Sequence, residues 1–192
     1  LSRRIASVFV RRFGATPRRL IMSVFLLCAA ASTLMSGHAV AAMVFPIVTD
    51  LARALKLEKG RSEMGKALFF AMAWGCIIGG SLTVLGGGRG PLAIGLLEEA
   101  TGEAFTITFA GFMAYSWPLV LVMVLFAAWH LRSRFKPEVE STRAALAALE
   151  EQIHEMGKLS PRELVVGIVL IVTVGLWAFA GDSLGLANIA IV

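Results

Sequence analysis

No HExxH, no GxSxG and no phosphate-binding glycine loop occurs in this chain, and its apolar segments hold no cluster of acidic residues. Metal-assisted hydrolysis, serine hydrolysis and nucleotide-driven chemistry each depend on one of these groupings. The chain is therefore not expected to be an enzyme. Cysteine is scarce: Cys28 and Cys76 sit in separate apolar segments without CxxC spacing, which reads as packing, with no disulfide expected. The first nineteen residues carry six arginines and no adequate apolar core, so no cleavable signal peptide is expected. Acidic side chains are missing altogether between Ala67 and Leu97, which leaves Arg89 without a neutralising partner in its own segment.

What is abundant is apolar surface. Hydrophobic residues make up 57% of the chain and the mean hydropathy is +0.78, the balance of an integral membrane protein. The net charge of +5 does not point to nucleic acid, because Lys and Arg stand in short segments beside apolar runs and read as topology signals.

The sequence is organised around residues 18–56, two apolar runs joined by Met35-Ser36-Gly37-His38. Each run, Leu20 to Met35 and Ala39 to Leu55, reaches roughly 24 Å as a helix, short of a bilayer core about 30 Å thick. Arg3, Arg4, Arg11, Arg12, Arg18 and Arg19 precede the pair, and Arg53, Lys56, Lys59, Arg61 and Lys66 follow it. Both ends thus face the cytoplasm, and a re-entrant helical hairpin with a polar tip is expected. Two full spans give the same parity, so length and the tip decide. Backbone turned at that depth has to face protein or a water-filled cavity, which makes the tip a candidate binding site.

Residues 1–15, with basic pairs between Ile5, Val8, Phe9 and Phe13, read as an interfacial amphipathic helix or as the end of a preceding element. Thr16-Pro17 reads as an N-cap followed by proline at the first helical position. Residues 63–97 read as a broken transmembrane helix: a helix to about Val84, an unwound segment over 85–90 containing Gly86, Gly87, Gly88, Arg89 and Gly90, and a short helix opening at Pro91. An outer loop with Glu98, Glu99 and Glu103 follows. Residues 105–132 form a scaffold span interrupted at Trp117-Pro118, 138–157 a cytoplasmic amphipathic helix, and 161–192 a further span beginning at a capping box, the start of a second repeat. The fold class is all-α integral membrane. The chain opens on Leu1 and closes in an apolar run, so a piece of a longer polypeptide is expected.

A hairpin tip beside a broken helix is the arrangement from which secondary transporters build a midplane site. Ser32 and Ser36, spaced one helical turn apart, can converge, or can bond their own backbone or a neighbouring helix. The amides near Ala39 and Val40 can point at an anion. Arg89 either supplies a fork of donors to an anionic substrate or pairs with a carboxylate elsewhere. His38 is either a proton-coupling group or a structural histidine. His130 and His154 read as interfacial, and Trp74, Trp117, Trp129 and Trp177 as packing or interfacial anchors.

The succession Ser36-Gly37-His38-Ala39-Val40 with Pro46, Gly79-Gly80-Ser81-Leu82-Thr83-Val84-Leu85-Gly86, Trp117-Pro118, Met156 to Glu163 and Trp177 resembles the first half of the divalent anion:sodium symporter family. Family tips read Ser-Asn-Thr and family breaks roughly Gly-Thr-Pro-Pro-Asn; here Gly37-His38 and Gly87-Gly88-Arg89-Gly90 stand in those places. The resemblance implies half of an inverted-repeat transporter: symport of a dicarboxylate, citrate or sulfate with sodium or protons. A non-transporting subunit or degenerate paralogue of the same fold is the alternative. It implies substrate contacts at Ser36, Gly37, His38, Gly87, Gly88, Arg89 and Gly90, and a possible sodium ion at Ser32, Ser36, Leu82 and Gly86, with no other metal and no cofactor. It further implies a multi-pass protein of the inner membrane, a missing second repeat and a homodimer. No nucleic-acid partner is expected.

Overall fold

The computed structural model describes residues 8–10, 12–102, 104 and 107–155, with 165, 168, 169 and 172 beyond them. All regular structure among the described residues is helical. The helices are α1 (Pro17–Ser32), α2 (Gly37–Ala54), α3 (Glu63–Gly80), α4 (Arg89–Thr101), α5 (Phe109–Arg134) and α6 (Arg143–Glu155), with a single 3-10 turn at Val84–Gly86. Most of the interfacial helix expected over 1–15 and nearly all of 161–192 lie outside the described residues, as do Glu103, Gly157 and Trp177.

The starts of these helices follow from hydroxyl caps. Thr16 Oγ1 accepts from the Arg19 amide with Pro17 at the first position, and Ser62 and Thr108 cap α3 and α5 through the amides of Gly65 and Gly111. The beginning of α3 receives a second cap from a distant segment. Glu138 accepts from the Glu63 amide at 2.7 Å and from the Ser62 hydroxyl at 2.9 Å. That contact bends the chain after α5 back across the bundle, so residues 135–142 are non-helical and α6 begins at Arg143, five residues later than the amphipathic pattern suggested.

Packing centres on α1 against α3. In an apolar solvent, helices associate by close van der Waals contact, which small residues permit. The pair Gly75 and Gly79 supplies that contact. A Cβ at Gly75 would stand 2.5 Å from the Phe25 carbonyl oxygen, and one at Gly79 would overlap the Ala29 backbone. Around this seam Leu20, Val24, Phe25 and Cys28 of α1, Val40, Val44, Ile47 and Leu51 of α2, and Met64, Ala67, Leu68 and Ala71 of α3 form the buried core. The thiols of Cys28 and Cys76 are free and buried within it.

On another side α3 meets α5 through rings. Trp74 meets His130 at a tilt with centroids 5.4 Å apart, and Phe70 meets Phe135 at 5.8 Å. His130 packs between the two helices. The helix α5 runs unbroken through Pro118, contrary to the interruption expected at Trp117-Pro118. One missing N–H removes a single rung, and a helix of 26 residues tolerates it. Among the described residues α5 is the one helix long and apolar enough to cross a membrane, and only 11% of its most apolar window is buried.

Helix α6 closes the end at which α1 begins and α2 finishes. Ala145 and Leu149 are buried, and Thr142 donates to the carbonyls of Gly14 and Ala15 at 3.0 and 3.1 Å. The exposed cations Arg18, Arg19, Lys56, Lys59, Arg61 and Arg132 collect around this end. The 33–38 turn and the 81–88 break lie at the other end of α1 and α3.

Candidate functional site

The tip and the break are bonded to one another. Ser32, the last residue of α1, is fully buried and donates to the Cys76 carbonyl at 2.7 Å. Thr83, in the break, donates to the Thr33 carbonyl at 2.5 Å and accepts from the Leu85 amide. Gly80 and Gly86 bring their backbones so close that a Cβ at Gly86 would overlap Gly80. Only glycine fits at Gly86, a Cβ at Gly80 would be tight, and α3 stops at Gly80 and not at the expected Val84.

The interruption accordingly spans 81–88, and α4 opens at Arg89 with Gly88 as a cap that offers no side-chain bond. Pro91 is the third residue of α4 rather than the first. It is accommodated because first-turn amides have no helical acceptor in any case. The helix continues to Thr101, where Gly102 with φ +58° terminates it, so Glu98 and Glu99 lie on a helix and not in a loop.

Between tip and break lies an open cleft of about 730 Å³. Ser36, Gly37 and His38 line one wall and Gly86, Gly87, Gly88, Arg89 and Gly90 another, with Cys76, Gly80 and Thr83 between them and Phe112 of α5 at the edge. The predicted tip and break residues therefore meet in one space. Arg89 is exposed in it, and among the described residues its guanidinium has no ion-pair partner. No aspartate or glutamate is among the residues lining the cleft.

Three expectations change here. Ser32 and Ser36 share no helical face, because α1 ends at Ser32 and Ser36 is the N-cap of α2. The Ala39 amide is taken by the Ser36 hydroxyl at 3.3 Å and the Val40 amide by the Ser36 carbonyl at 3.1 Å, so neither is open to an anion. Leu82 is half-buried against the core and does not line the cleft. Ser32 and Gly86 both face Gly80. The Ser32 hydroxyl oxygen and the Gly86 carbonyl oxygen each stand 3.0 Å from where a Cβ of Gly80 would be.

Cys76, Gly80, Thr83 and Phe112 were not singled out from sequence. Gly80 carried a signal in the doublet Gly79-Gly80. Thr83 carried none, since its role depends on a carbonyl fifty residues away.

Over residues 1–192 the chain matches the family described as sodium:sulfate symporter transmembrane region. It is 27% identical over 186 residues to the chloroplastic dicarboxylate transporter 1 of Spinacia oleracea, covering 94% of this chain and 32% of that protein. A sodium-dependent dicarboxylate transporter of Staphylococcus saprophyticus is 28% identical over 188 residues, with 92% and 35% covered. The citrate/succinate antiporter of Escherichia coli K12 is 22% identical over 143 residues, with 72% and 29% covered. The chain spans about a third of the length of these curated relatives.

Proposed function

The chain belongs to the sodium:sulfate symporter family, a family of membrane transporters and not of enzymes, and from that premise we propose that it forms the anion-binding half-site of a longer secondary transporter of the inner membrane. The substrate is a small oxyanion of the dicarboxylate, citrate or sulfate class, held between the 36–38 tip and the 86–90 break. Arg89 provides two parallel N–H donors to a carboxylate or sulfate, a geometry that lysine does not offer. The glycines let the anion approach the backbone closely. Sodium or a proton accompanies it, with Ser32, Ser36 and Gly86 as the oxygen donors on the cation side. Hairpin and broken helix, tied by the Ser32 and Thr83 bonds, move as one body to alternate access, and a second inverted repeat completes the pathway.

The observation that carries this reading is that, among the described residues, the guanidinium of Arg89 has no ion-pair partner and the cleft, lined by both interrupted elements, has no carboxylate. A charge so exposed to an apolar environment is costly unless a counter-ion joins it. The test is uptake of labelled succinate, citrate and sulfate by the full-length protein in proteoliposomes under an imposed sodium or proton gradient. Uptake of at least one anion under one gradient is expected, and no uptake of any under either contradicts the reading.

A further inference from the structure

A second concavity, of about 460 Å³, adjoins the tip–break cleft at Ala73 and runs along α3 to the basic end of the bundle. Its floor is apolar, made by Ala52 at the end of α2, by Leu57, and by Phe69, Phe70 and Ala73 on one face of α3. Its rim carries Glu58, Lys59, Ser62 and Lys66. Along α3 it extends from Gly65 to Ala73, roughly 12 Å of helix. We propose that this groove is a binding site for one anionic phospholipid of the cytoplasmic leaflet, with its phosphate at Lys59 and Lys66 and an acyl chain against Phe69, Phe70 and Ala73.

Charge and depth both favour that occupant. Of the charged side chains around the rim, Arg53 pairs with Asp50, Arg61 with Glu58 and Lys66 with Glu63. These pairs cancel; Lys56 and Lys59 have no ion-pair partner among the described residues, and against them stands the single carboxylate of Glu138, held by Ser62 and the Glu63 amide, so the rim keeps a small positive excess. Lys66 spends one N–H on Glu63, at 2.8 Å, and keeps two for a phosphate. A net positive rim repels a cationic ligand and has nothing to choose between zwitterionic headgroups. A basic pocket between helices at the cytoplasmic face is the setting in which anionic headgroups are held. The apolar floor begins beneath the rim and runs toward the exposed flank of Phe70, the direction an acyl chain takes from headgroup to bilayer core.

The test uses full-length protein in detergent, incubated with equal amounts of phosphatidylglycerol and phosphatidylcholine of the same acyl chains, with retained lipid counted by native mass spectrometry. Wild type is expected to keep one phosphatidylglycerol in preference to phosphatidylcholine. Lys59→Glu, at an exposed position, is expected to reduce that preference about fivefold or more, whereas Arg19→Glu at the start of α1 leaves it unchanged. Ala52→Phe, which fills the floor at a position the tip–break cleft does not share, is expected to lose the retained lipid in protein whose melting temperature matches wild type. Equal retention of the two lipids, a preference that survives both groove substitutions, or an equal effect of Arg19→Glu overturns the site. So does a cross-link showing that a segment of the chain beyond residue 192 fills it.

Discussion

The hydroxyl of Ser32 donates to the backbone carbonyl of Cys76 at 2.7 Å, across the seam between α1 and α3. One turn further along α3, Gly80 turns its bare Cα toward the same hydroxyl and toward the Gly86 carbonyl. A single buried serine thus stands between the hairpin, the broken helix and the candidate cation position. Ser32→Ala removes one interhelical hydrogen bond and fills no new space. Stability should fall by about 1 kcal/mol, in keeping with hydrogen bonds between membrane helices. Thermal unfolding in detergent measures it. A loss near zero would mean that the glycine seam alone holds the two elements.

The seam itself makes a sharper prediction. Gly79→Ala puts a methyl group into the Ala29 backbone, and backbone cannot yield as a side-chain tip does. Overpacking of this kind costs about 1–3 kcal/mol or more, and the yield of monodisperse protein should fall markedly. Gly95→Ala is the matched control. Gly95 lies on exposed α4 with open space around it, and alanine there should stabilise by up to about 1 kcal/mol. Equal behaviour of the two variants in a melting assay would refute the close α1–α3 contact.

Glu138→Ala removes both carboxylate bonds from the N-terminus of α3. Loss of a helix cap costs about 1 kcal/mol, and the 135–142 segment should come loose from α3 at the same time. Hydrogen exchange is expected to rise at the amides of 63–65 and across 135–142 while the tip stays protected. Unchanged exchange at 63–65 would show that Ser62 caps α3 unaided.

Parts of this architecture are written locally and parts are not. Thr16-Pro17 names a helix start because a cap and its amide lie three residues apart. The glycine run around 86–90 names a break because no helix interior supports it. Sequence reading missed where α3 ends, since the doublet Gly79-Gly80 marks a weak point but the close backbone contact of Gly80 with Gly86 is not visible locally. It also missed Glu138, whose partners are about 75 residues away. Gly75 and Gly79 were visible at a spacing of four, yet within an apolar stretch they read as composition, and only the neighbour facing them shows what they permit. The tip and break residues were legible as a group because interruption of a membrane helix is itself a local property. Which of their amides stay open was not legible, because the Ser36 cap consumes Ala39.

The most direct measurement of the central claim is anion uptake by the full-length protein in proteoliposomes, compared between wild type, Arg89→Lys and Arg89→Ala. With the guanidinium as the anion's main partner, Arg89→Ala should lose nearly all uptake at substrate concentrations that half-saturate wild type. A lost charge-assisted bond of about 1.5–3 kcal/mol corresponds to roughly 10- to 150-fold in affinity. Arg89→Lys should retain part of the activity, since it keeps the charge and loses the paired donors. Wild-type uptake that Arg89→Ala leaves intact would contradict the assignment and return Arg89 to a structural role.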